Sequence, residues 1–110
     1  VDFQTACNLL INQGMGSDVA SDTLLARLQQ GKPPIPGQVT SILLALKIVF
    51  EELRDTLTLD RQLVFALHTL AMESRHQFEA GRQAGVDWPP LLDEDLTRIA
   101  VAVREIFAGG

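Results

Sequence analysis

The sequence predicts an all-α protein, a compact bundle of four to five helices joined by short antiparallel connections. Three observations carry this. Apolar residues recur at intervals of three and four along almost the whole chain, the spacing that lines one face of an α-helix. Leu dominates, while β-branched and aromatic residues are sparse, seldom alternate, and Tyr is absent. Of the 110 residues, 46% are apolar and 21% charged, a globular balance with enough apolar side chains for one core. The length predicts a single helical domain over 1–110, made of an N-terminal hairpin (1–31) and a three-helix main body (38–108).

The first helix is expected over residues 2–13. Asp2 can cap it, Phe3, Ala6, Cys7 and Leu10 share a face, and Gly14 and Gly16 are expected to end it. A short second helix is expected over 21–30, with Ser21 as N-cap or an earlier start at Ser17. Leu24, Leu25 and Leu28 form its apolar side and Gly31 closes it. Three prolines among Pro33, Pro34 and Pro36 then block helical hydrogen bonding, and predict a stiff, extended connector between hairpin and body.

The third helix is expected over 38–56. Val39, Leu43, Leu46, Phe50, Leu53 and Leu57 alternate by four and three, a heptad seam that Ile42 and Val49 widen. Leu44 and Ile48 point to the opposite side, so this helix reads as central or as part of a subunit interface. The fourth is expected from Thr58, with Asp60 in its first turn and Leu63, Leu67, Leu70, Ser74 and Phe78 on its main face, ending at Gly81 or Gly85. After a loop containing Trp88, Pro89 and Pro90, Asp93 is the expected N-cap of the last helix. Leu92, Leu96, Ile99, Val103, Ile106 and Phe107 are its buried side, and Gly109 and Gly110 close it.

Composition excludes several function classes. The net charge is −5 and no segment carries net positive charge, whereas phosphate binding needs a clustered basic face, so no nucleic-acid partner is expected. Residues 42–50 are the most apolar stretch, and they are far shorter than the roughly 20 residues of a membrane span. Residues 1–14 show no basic start and no cleavage pattern, which predicts no secretory leader. Cys7 is the single cysteine, which rules out an intrachain disulfide or a Cys-based zinc site and suits a reducing cytoplasm. Gly31-Lys32 reverses the order that a phosphate-binding loop requires and follows no strand.

Four features could carry chemistry or recognition. Glu73 and His76 form a Glu-x-x-His pair, the spacing used in di-metal helical bundles, but the periodicity puts Glu73 at the margin of the core face and His76 away from it. A solvated pair is the plainer reading. His68 has no acid–base partner in the sequence, and Cys7 on an apolar helix face reads as a buried structural thiol. Phe65, His68 and Met72 on the fourth helix, with Leu44 and Ile48 on the third, make a second mixed surface, either covered by the N-terminal hairpin or used as an interface. Trp88, flanked by prolines, reads as a plug at the bundle end, or with Arg75 and Arg82 as a recognition loop.

The stretches 34–46 (PIPGQVTSILLAL) and 85–96 (GVDWPPLLDEDL) resemble a small cyanobacterial family of helical proteins, some members of which carry the name dethiobiotin synthetase. The resemblance spans roughly residues 33–107, implies a photosynthetic bacterial cytosol and brings no catalytic residues. The enzyme name does not suit the residues, since that activity belongs to a larger α/β protein with a phosphate-binding loop and parallel strands. The expected function is that of a non-enzymatic helical interaction protein, an adaptor, regulator or assembly factor, forming a homodimer through the third and fourth helices and binding a protein partner at the Trp88 loop. No cofactor is expected. The alternative is a small metal-dependent helical enzyme using Glu73 and His76.

Overall fold

In the computed structural model, which describes residues 2–15 and 22–109, five helices occur: α1 (Phe3–Met15), α2 (Leu24–Gln29), α3 (Gln38–Leu53), α4 (Arg61–Gln83) and α5 (Leu92–Ala108). No strand occurs among the described residues. Three of the helix starts, those of α1, α2 and α4, carry a side-chain cap. The Asp2 carboxylate accepts from the Thr5 N–H at 2.8 Å, which pulls its pKa below the usual carboxylate range. Thr23 caps α2, its hydroxyl accepting from Ala26 N–H at 3.3 Å, and the Gln13 amide oxygen accepts from Leu24 N–H at 2.8 Å. The expected caps at Ser17 and Ser21, and the stop at Gly16, lie outside the described residues. Asp60 is the N-cap of α4, accepting from Leu63 N–H at 3.0 Å.

Two helices end by the same device. Gly31 (φ 74°) and Gly85 (φ 92°) take the left-handed conformation. Each lets two backbone N–H groups fold back onto the last turn: Gly31 to Leu28 and Lys32 to Arg27, Gly85 to Arg82 and Val86 to Gly81. A β-carbon would be strained at both positions. The connector after Gly31 is pinned rather than free, with Arg27 Nε donating to the Pro33 carbonyl at 2.7 Å and Gln38 Nε2 to the Asp22 carbonyl at 2.8 Å.

The packing order corrects the expected hairpin. α1 and α2 touch only slightly; α1 lies against α3 and α4, and α2 against α4. α5 also packs on both α3 and α4, which barely meet each other. The helices α1, α3, α5 and α4 therefore form a ring with α3 and α4 on one diagonal. One core cluster runs through it, from Ala6 and Leu10 through Leu46 and Leu67 to Ile99. The Cα radius of gyration is 13.5 Å, close to the roughly 13 Å of a compact chain this long.

Several element readings are also corrected. Gly14 does not stop α1; it is helical and buried, and a β-carbon there would stand 2.1 Å from the Ala66 carbonyl oxygen. The glycine lets α1 and α4 approach backbone to backbone. α3 ends at Leu53, where the Thr56 hydroxyl donates to the Leu53 carbonyl, so Leu57 lies beyond the helix and is fully exposed. The buried line of α3 is Ile42, Ala45, Leu46 and Val49, while Val39, Leu43, Phe50 and Leu53 flank it half-buried. A ring position with neighbours on two sides turns the helix away from its two-stranded seam. α5 begins with Leu91 as N-cap, so Asp93 sits in the first turn beside Glu94 and Asp95, where the helix dipole favours carboxylates. Phe107 is 42% exposed, unlike the other five expected core residues of α5.

Candidate functional site

The loop from Gly85 to Leu91 is held at one end of the bundle by Trp88. Its indole N–H donates to the Phe78 carbonyl at 2.9 Å, and its ring stacks on Phe78 with centroids 5.9 Å apart and planes 23° from parallel. Gly81 makes room for it, since a β-carbon there would lie 2.4 Å from Trp88 Cζ2. The sequence brings these residues together by register: Ser74, Phe78 and Gly81 follow the four-three rhythm of the α4 core face.

Arg75 and Arg82 join the same cluster, their guanidinium carbons 5.2 and 5.3 Å from the Phe78 ring centroid. Arg75 also donates to the Asp93 carboxylate at 2.6 Å, the Asp93 carbonyl at 3.1 Å and the Thr97 hydroxyl at 2.9 Å, tying α4 to the first turn of α5. Glu79 bridges the two arginines, hydrogen-bonded to Arg82 and 3.7 Å from Arg75. The three residues expected to meet a partner are thus brought together, but toward the protein's own Phe78 and α5. The Trp88 N–H and much of the Arg75 guanidinium are satisfied internally, which makes this cluster a clamp on the bundle end, while Arg82 stays 57% exposed with one ion pair to Glu79. Phe78, its hub, was missed as a site residue because it reads only as core.

The mixed surface divides. Leu44, Phe65 and Met72 are 57%, 57% and 59% exposed, so neither α1 nor α2 covers them. Ile48 is half-buried and packs against the core, contrary to its expected outward position. Leu44 and the Phe65–Met72 pair lie opposite the core-facing sides of α3 and α4. Those helices are diagonal across the ring, so their outward faces point apart and form no common patch. On α4, Arg61, His68 and His76 are also exposed. A cleft of about 330 Å³ runs beside Phe65 between α2 and α4, with Leu25, Gln29, Thr69 and Glu73 along it. His76 does not line it. Among the described residues no group of three His, Cys, Asp or Glu side chains could hold a metal ion, so Glu73 and His76 lack further ligands.

The two stretches 34–46 and 85–96 meet in space. Pro34, Ile35 and Val39 face Pro89 and Leu91 across a groove of about 240 Å³, a juxtaposition not legible from either segment alone.

Cys7 is 8% exposed and free, at the side of a cleft of about 460 Å³ with Phe3, Ile11, Leu53 and Asp60. Burial, then the Asp60 negative charge, raise its pKa above the ordinary thiol range. The thiol stays protonated at neutral pH, which suits neither a nucleophile nor a metal ligand. A raised pKa favours the folded state below the ordinary thiol range, and that contribution is lost as pH rises through it, because the unfolded chain releases its proton first. Thiol labelling at pH 8 is therefore expected to be slow in native protein and fast in denaturant. In alkaline titrations Cys7→Ala loses less stability than wild type; equal losses would show that the thiol titrates freely.

Among the described residues, no helix is long and apolar enough to cross a membrane. No protein-family model, curated protein or solved structure matches the chain.

Proposed function

We propose that this protein is a non-enzymatic helical interaction protein, of the adaptor, regulator or assembly-factor type, and that its contact surface is the outer face of α4. One observation carries the reading. Phe65 and Met72 stand about two turns apart on the same side of one helix and are more than half exposed, at 57% and 59%. The core beneath them is complete without them. An exposed aromatic and a flexible thioether on one helix face are the residue types that interfaces favour. The Trp88 loop, by contrast, spends its aromatic ring on Phe78, and Arg75 of α4 is tied to Asp93 and Thr97, which holds α4 and α5 in register. A reducing cytoplasm fits the single buried thiol.

The test is affinity capture from an extract of the source cells, on immobilised wild type and on the double variant Phe65→Ser/Met72→Ser. Both sites are exposed, so the variant is expected to keep its far-ultraviolet circular dichroism. A protein, a further copy of this chain included, that wild type recovers, that the variant loses, and that rebinds when purified supports the reading. Identical captures on the two proteins would end it.

A further inference from the structure

We infer that the occupant of the outer α4 face is a second copy of this chain, its α4 antiparallel to the first about a two-fold axis crossing the helix near Leu70. The inference rests on the reading of that face given above and names its partner. Along the outer side of α4, Arg61, Phe65, His68, Met72 and Glu79 are separated by four, three, four and seven residues, a heptad stripe on the side away from the core. Arg61, Phe65, His68 and Met72 are exposed and Glu79 is partly so.

Charge chooses the direction. In a parallel, in-register pair each Arg61 would meet another Arg61 with no acidic partner to offset it, and the like charges repel. Turning one helix round brings opposite ends together. Residues whose numbers are equidistant from 70 then share a layer. His68 packs against Met72 of the partner subunit, and Arg61 reaches Glu79 of the partner subunit. Phe65 closes over the adjoining turn. Arg61 makes no ion pair among the described residues, so its guanidinium is available. Glu79 keeps carboxylate lone pairs beyond those used by Arg82 and Arg75. The antiparallel arrangement also opposes the two helix dipoles favourably.

Size sets the strength. The stripe from Arg61 to Glu79 is about 27 Å long at helical rise, and a single helix seam buries less than the roughly 800 Å² per partner of a standard stable interface. The dimer therefore belongs to the weak, transient class of interfaces.

Sedimentation equilibrium of the same 110-residue chain, from about 1 µM to 1 mM, reads the result. Wild type is expected to shift from monomer to dimer, and Phe65→Glu to remain monomeric with unchanged circular dichroism. Arg61→Glu is expected to raise the dissociation constant roughly ten-fold, and Arg61→Lys, which keeps the charge, to leave it close to that of wild type. A wild-type monomer at every concentration overturns the inference, while a capture that still depends on Phe65 and Met72 leaves the reading of the face intact. A dimer indifferent to Phe65→Glu, or to Arg61→Glu, overturns it as well.

Discussion

Gly14→Ala will lower the thermal midpoint by more than 10 °C, although alanine is the better helix former. Two effects oppose each other. Replacing glycine by alanine inside a helix gains about 1 kcal/mol in conformational entropy. Against this, the new β-carbon would stand 2.1 Å from the Ala66 carbonyl oxygen, 2.7 Å from its carbon and 2.8 Å from its α-carbon. These atoms are helix backbone and cannot rotate aside. α1 and α4 must separate, and α1 carries Ala6 and Leu10, both 0% exposed, into the shared core. Overpacking costs about 1–3 kcal/mol when side chains can yield; with a backbone obstacle the net loss is expected at the upper end, about 3 kcal/mol. At about 4–8 °C per kcal/mol for a small domain, the shift exceeds 10 °C. Thermal unfolding followed at 222 nm checks it, and a midpoint equal to or above that of wild type would mean that the two helices do not approach this closely.

Trp88→Ala is expected to cost about 2–3 kcal/mol, and Trp88→Phe about 1 kcal/mol. Full truncation of a buried aromatic costs about 3–5 kcal/mol, and the half-buried position of Trp88 reduces that. The alanine variant loses the stack on Phe78, the hydrogen bond to the Phe78 carbonyl and the filling over Gly81. The phenylalanine variant keeps an aromatic ring and loses the N–H donor, worth about 1 kcal/mol. Urea unfolding of the three proteins resolves the series. The chain has one Trp, so native fluorescence reports this site alone. If both variants were as stable as wild type, the loop would not be a structural plug, and a role in recognition would return.

Helix existence was legible because it depends on local terms that a sequence states openly. The rhythm Leu63, Leu67, Leu70, Ser74, Phe78 names the buried face of α4 without knowledge of any neighbour, and all five are buried. Asp2 announces a helix start because a cap needs only a carboxylate and an N–H three residues on, whereas Asp60, expected in the first turn of a helix from Thr58, is itself the N-cap of a helix that begins at Arg61. Gly31 announces a stop for an equally local reason. Gly14 carried two contradictory signals. Its residue type suggested termination, while its place after Cys7 and Leu10 put it on the core face, and only the approach of α4 decides between them.

The candidate site was less legible. Trp88, Arg75 and Arg82 were marked by type, and they do converge, but on Phe78, with Arg75 drawn on to Asp93. A sequence records that an arginine is present and not whether a carboxylate from a helix some twenty positions later will consume it. Leu44, Ile48, Phe65 and Met72 met the same limit. Their helical phase was readable, yet whether they form one surface depends on where α3 and α4 stand in the ring.

The amino-acid order by itself determined that the chain is helical, roughly where each helix lies, and which residues of α4 and most of α5 face inward. These follow from hydrogen bonds and steric preferences that span only a few residues. The tertiary structure alone decided that α1 joins the ring rather than a separate hairpin, that two glycines serve as contact points, that the Trp88 loop folds inward, and that the exposed apolar residues split between opposite flanks. Each of those depends on which helix lies beside which, a matter settled by how the apolar faces together exclude water around one core.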